Sequence, residues 1–152
     1  MNVPTNPPTT VRFCLGLALA LGMASGAAHA ACDVQLGALS FGVIDITRTN
    51  RSTGKITIRC DSEQSIQVGL SGGGGGGERR LAGPGRDVIP YFVYTGADLS
   101  LPWGDGMEIG PPVAVTLDGI RPSELPVYGL IPPVPGTPPG TYVDSLLVTI
   151  IF

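Results

Sequence analysis

Few side chains in this sequence could do covalent or metal chemistry. Its three cysteines are Cys14, Cys32 and Cys60, and its one histidine is His29. A Ser–His or Cys–His nucleophilic pair needs an imidazole beside the nucleophile, and a transition-metal site needs several imidazoles or thiolates. Cys14 and His29 lie in an N-terminal stretch that reads as an export leader, so neither arrangement is expected in the mature chain. Carboxylates could still pair for acid–base work, and Asp98, Asp105, Glu108 and Asp118 fall in loops. Their spacing forces no two of them together, and solvated loop acids are the simpler reading. The six glycines at 72–77, followed by Glu78-Arg79-Arg80, invite comparison with a phosphate-binding loop. Such a loop needs a Lys-Ser/Thr after the glycines and a helix whose N-terminus faces the anion. Neither follows, and a flexible hairpin loop is expected instead. No enzyme activity, cofactor, metal or small-molecule substrate is expected.

The leader is legible in the first thirty residues. Arg12 is followed by the apolar run 13–24 and then by Ser25-Gly26-Ala27-Ala28-His29-Ala30. A positive residue, a short apolar core and an Ala-x-Ala end make a secretory signal peptide. The run falls short of the roughly 20 apolar residues that span a bilayer. Residues 1–30 are therefore expected to be removed, leaving one domain at 31–152. Loss of Arg12 takes the formal net charge from −3 to −4. A mildly acidic exported domain is a poor partner for nucleic acid or anionic membrane. Cys32 and Cys60 remain, and in an oxidising compartment two cysteines most simply form one disulfide, with two free thiols as the alternative.

The elements that must position these residues are strands. Fifteen prolines and 23 glycines punctuate the 152 residues, and no segment sustains a 3.6-residue apolar period. Short alternating or apolar runs recur at 34–41, 55–60, 66–70, 88–94, 113–117, 125–131 and 140–152. Seven such runs separated by turn residues predict an all-β antiparallel sandwich. Pro90 inside the fourth run predicts an edge strand or a bulge. In the last run Tyr142, Leu146, Val148, Ile150 and Phe152 share one face, broken only by Asp144. The other face is mixed. No covering strand is expected to follow Phe152, and an apolar strand left as a bare edge recruits other chains. Trp103, in Trp103-Gly104-Asp105-Gly106, has two readings: an indole covering one end of the sandwich, or a loop-tip aromatic that meets a sugar or a surface.

A series of motifs runs from Cys32 and Leu39-Ser40-Phe41-Gly42 through Ile56-Thr57-Ile58-Arg59-Cys60 and Arg79-Arg80-Leu81. It continues in Tyr91-Phe92-Val93-Tyr94, Trp103-Gly104-Asp105-Gly106 and Val127-Tyr128-Gly129-Leu130-Ile131-Pro132, and closes with Pro139-Gly140-Thr141-Tyr142-Val143-Asp144-Ser145. In this order and spacing they resemble the spore coat protein U (SCPU) domain, the pilin-like domain of archaic chaperone–usher fimbriae.

The resemblance implies an incomplete immunoglobulin-like sandwich that lacks its final strand. A hydrophobic groove would lie beside the C-terminal strand, lined by Tyr142, Leu146, Val148, Ile150 and Phe152. A periplasmic chaperone would fill it with a lent strand, and at an outer-membrane usher another pilin subunit would replace the chaperone. The chain would pass through the periplasm to a fimbrium at the cell surface. A subunit that donates a strand needs about ten alternating residues ahead of its first cysteine, at ~3.3 Å each. Only Ala31 stands between the expected leader and Cys32, so the chain is expected to accept a strand without donating one, as at a fibre tip. Two other readings compete: a surface-binding adhesin acting through loops such as the one bearing Trp103, and a self-contained secreted sandwich.

Overall fold

The computed structural model describes residues 31–72, 78–106 and 109–152. The expected leader, most of the glycine run and Glu108 lie outside the described residues. Among the described residues eight strands form in chain order: β1 (Cys32–Leu36), β2 (Asn50–Cys60), β3 (Glu63–Leu70), β4 (Arg79–Ala82), β5 (Val88–Tyr94), β6 (Val113–Asp118), β7 (Ser123–Ile131) and β8 (Val148–Ile151). They build a five-stranded sheet in the order β1-β2-β7-β5-β4 and a three-stranded sheet in the order β6-β3-β8, antiparallel throughout.

Alternation makes the core. Ile56, Ile58 and Cys60 of β2, Ile89, Tyr91 and Val93 of β5, and Val127 and Ile131 of β7 are buried from one sheet. Ile66, Val68 and Leu70 of β3 and Leu117 of β6 meet them from the other. Each such side chain contributes about 1.5–3 kcal/mol relative to leaving it in water. The disulfide forms between Cys32 and Cys60, which face each other across the β1–β2 ladder.

The prolines sit where the ladders allow them. β5 and β7 pair only over Phe92–Leu130, Val93–Gly129 and Tyr94–Tyr128. Pro90 lies outside that overlap, opposite Arg80 of β4, and Pro126 lies where β7 pairs with β2 alone. Each strand is therefore paired on one side at its proline, so the missing N–H removes no ladder bond there. β5 is nevertheless internal, because β4 covers its first half. Four residues with two arginines carry no apolar alternation, which is why β4 was not expected from sequence.

Two predicted strands are shorter than expected. The run 34–41 is a strand only to Leu36. Beyond it Leu39, Phe41 and Ile44 pack on the core from an irregular segment. Gly129 makes room for this, since a Cβ there would stand 2.7 Å from Phe41 Cζ and 2.8 Å from Leu39 Cδ2. The final run 140–152 is a strand only from Val148. Before that, Val143 exchanges two backbone hydrogen bonds with Ala82 of β4, at 2.7 and 2.9 Å. The segment thus starts on the edge of one sheet and finishes beside β3 in the other, so one continuous ladder is geometrically excluded.

Trp103 ties the same two sheets together. Its indole Nε1 donates to Val68 O of β3 at 2.9 Å, and its backbone N–H donates to Val93 O of β5 at 2.9 Å. Arg79, 3% exposed, lies beside it and donates from Nη2 to Leu70 O and Trp103 O, both at 2.7 Å.

Candidate functional site

An apolar cleft of about 950 Å³ opens between residues 36–46 on one side and residues 137–148 on the other. Its floor is the inward face of the large sheet, including Ile56, Ile89, Tyr91, Val127 and Ile131, with Leu70 from β3. Leu36 and Val43, on the first wall, are respectively 59% and 103% exposed. The second wall continues into β8, which is hydrogen-bonded to β3 on one side and to no strand on the other among the described residues. The arrangement therefore joins an unfilled apolar trough to an open strand edge, and both can be satisfied together by one added strand.

The closing sequence motif holds the second wall. A Cβ on Gly83 would fall 2.1 Å from the Tyr142 ring, so the ring lies flat against a backbone only glycine leaves bare. Tyr142 Oη donates to Pro138 O at 2.9 Å. The ring on Gly83 and the Val143–Ala82 pair together pin the wall to the end of β4 and the turn that follows it.

Tyr91 links floor and walls. Its ring meets Phe41 edge-on, with centroids 6.3 Å apart, and its hydroxyl donates to Asp144 Oδ2 at 2.8 Å. Burial above all, then that hydrogen bond, pushes the phenol well above its ordinary range. Desolvation lowers the Arg79 guanidinium, opposed by the charges of Tyr91, Asp105 and Asp144.

Of the residues expected at a groove, Tyr142, Leu146 and Val148 line the cleft. Ile150 packs on the core beyond it, and Phe152 is 70% exposed and does not line it. The cleft narrows to the part of the segment that faces residues 36–46, and Phe152 lies past it. Trp103 is 1% exposed, with its N–H engaged inside the sandwich. The expectation of a loop-tip indole meeting a surface is therefore corrected, because no face of the ring is presented to solvent. Asp98 and Asp118 bond locally to their own loops, through Ser100 and through the amides of Ile120 and Arg121. Asp105 lies near enough to Arg79 to act on its charge. No group of three metal-ligating side chains occurs among the described residues.

Sequence reasoning missed the first wall and the burial of Arg79. Leu39 and Phe41 alternate with Ser40 and Gly42, a visible signal, but alternation of this kind predicts a strand and not a wall. Arg79 carries no signal of burial, since arginine is ordinarily solvated.

Comparison with known proteins agrees with this architecture. The fold is similar to a chain in the crystal structure of the CsuC–CsuE chaperone–tip adhesion subunit pre-assembly complex from archaic chaperone–usher Csu pili of Acinetobacter baumannii, at a TM-score of 0.56 and 18% identity. That match covers 82% of this chain and 40% of the solved one. Protein U of Myxococcus xanthus is 27% identical over 142 residues, covering 80% of this chain and 78% of Protein U. Residues 18–149 match the Spore Coat Protein U domain. The chain belongs to the Spore Coat Protein U domain family.

Proposed function

We propose that this chain is a structural subunit of an extracellular fibre or coat, assembled by chaperone–usher donor-strand complementation. The observation that carries the reading is the apolar cleft between residues 36–46 and the C-terminal segment, beside the edge of β8 that is open among the described residues. A partner strand lying there gains backbone hydrogen bonds from the edge and places alternate side chains in the trough. The partners are a periplasmic chaperone, an outer-membrane usher and other subunits, and the route is export, periplasm and cell surface. The architecture shared with a chain from a chaperone–subunit complex supports this.

A terminal position in the fibre is the finer proposal. Its support is the composition of residues 25–31, Ser-Gly-Ala-Ala-His-Ala-Ala, which offers no large apolar side chain to fill a neighbour's cleft. Mass spectrometry of native fibres tests it, and a finding that this chain is the most abundant subunit overturns it. The adhesive alternative cannot use the Trp103 indole, which is buried, and would have to act through the rest of its loop, where Leu101 is exposed.

The decisive experiment is periplasmic co-expression with a chaperone of the same assembly system, followed by affinity purification and intact mass measurement. A one-to-one complex, two hydrogens light for the Cys32–Cys60 bond and starting near Ala31, is expected. A stable monomer that ignores the chaperone overturns the strand-accepting reading.

A further inference from the structure

One carboxylate interrupts the apolar cleft. Asp144 lines it, half-buried, between Tyr142 and Leu146. Its Oδ2 accepts the Tyr91 hydroxyl and its Oδ1 accepts the Ser145 amide, each at 2.8 Å. A carboxylate has about four acceptor positions, so capacity remains on the side that faces the cleft. Behind Tyr91, directly across the β4–β5 ladder, stands Arg79. It is the one charged residue buried among those described.

Arg79 faces Tyr91 from the neighbouring strand and so packs behind the residue that holds Asp144. Once a strand covers the cleft and expels water, the acceptor positions of Asp144 left over by Tyr91 and Ser145 lose their hydration and require a donor from that strand.

Resting on the strand-accepting reading, we infer that Asp144 is a register mark: the strand that fills the cleft carries a short hydrogen-bond-donating side chain, Ser, Thr or Asn, facing Asp144, and large apolar side chains at the flanking positions facing Tyr142 and Leu146. Apolar alternation alone cannot supply this information. A slip of one residue turns the wrong face inward, but a slip of two restores the alternation and leaves the apolar contacts much the same. A single polar position opposite a buried carboxylate breaks that degeneracy, because every slipped register sets an aliphatic group against Asp144. A lone polar residue sets register in coiled coils by the same physics.

The test uses peptides of about ten residues with Leu at every second position and Lys tails. In each peptide one Leu of the apolar face is replaced by Ser, and the replacement is moved along the face in steps of two. Binding to the full purified chain is followed by calorimetric titration and by the rise in Tm. One Ser placement is expected to bind about tenfold tighter than the all-Leu peptide, as a hydrogen bond to a charged group warrants. The same placement should lose its advantage on D144L. If the all-Leu peptide binds best, or every placement binds alike, the register inference is overturned while the cleft reading stands. If no peptide binds at all, the strand-accepting reading fails and takes the inference with it. Should D144L not fold, the scan on the natural chain decides alone.

Discussion

Tyr91 is the residue at which both walls of the cleft meet the floor, through Phe41 on one side and Asp144 on the other. Its folded-state pKa lies above the ordinary value of 10.0. A phenol of this kind contributes stability that is complete below the unfolded pKa and is lost as pH rises through the folded value. Denaturant melts should therefore show stability falling above about pH 10, and Tyr91→Phe should flatten that fall. Tyr142, whose hydroxyl is raised by burial and by Asp87, adds to it in the same direction, so some slope will remain. At neutral pH Tyr91→Phe should cost about 1.5–3 kcal/mol for the bond to the carboxylate. Asp45 behaves oppositely at the acid end. Hydrogen bonds from the Thr47 hydroxyl and amide and from Arg48 hold its carboxyl at about 2. Its contribution is present above the ordinary carboxylate range and disappears as pH falls through that value. Trp103→Ala should destabilise by about 3–5 kcal/mol, as expected for a buried aromatic, and thermal unfolding will register it. An unchanged Tm would mean that the indole does not tie the sheets.

Among the elements, β1 depends most on a covalent link. It is five residues long, pairs among the described residues with β2 alone and is stapled there by Cys32–Cys60, 28 residues apart in sequence. In the chain-entropy account reduction should cost about 3–4 kcal/mol, measurable as a shift in the urea midpoint with and without reductant. The wall that follows β1 depends instead on Gly129. Adding a methyl there displaces Leu39 and Phe41, so Gly129→Ala should cost about 1–3 kcal/mol by overpacking. Because the displaced side chains form the first wall, the same variant should also weaken capture of any strand by the cleft. An Ala at this position without effect on either would remove the account of how residues 36–46 are held.

For the whole molecule the salient property is an incompletely satisfied surface. Val143, Leu147 and Ile151 are exposed on the outward face of the C-terminal segment, at 63%, 66% and 54%, and the edge of β8 is open among the described residues. Such an edge pairs with other copies unless it is covered or charged. Ile151→Lys places a charge on that edge without touching the core. It should suppress light scattering on warming while changing unfolding free energy by no more than about 0.5 kcal/mol. A variant that aggregates as fast as the natural chain would show that association begins elsewhere.

The amino-acid sequence by itself determined the local periods, and through them the all-β antiparallel class. Period-two runs such as Ile56-Thr57-Ile58 and Ile66-Gln67-Val68 leave few alternatives once proline and glycine break every longer pattern. It also determined the pairing partners of the disulfide, because only two cysteines follow the expected leader. Tertiary structure decided what depends on residues far apart in the chain. β4 is a strand because β5 offers it a ladder, not because Arg79-Arg80-Leu81-Ala82 favours one. Residues 37–46 became a wall because Gly129, almost ninety positions later, leaves a hollow for Leu39 and Phe41. The C-terminal run broke in two because its halves belong to different sheets, and Phe152 passed beyond the cleft for the same reason. Arg79 Nη2 and Trp103 Nε1 find the carbonyls of Leu70, Trp103 and Val68 inside, although Arg79 Nε and Nη1 are buried there without a hydrogen-bond partner. Local pattern records which face of a segment is apolar, whereas the identity of what that face meets is set by contacts between segments that no short window contains.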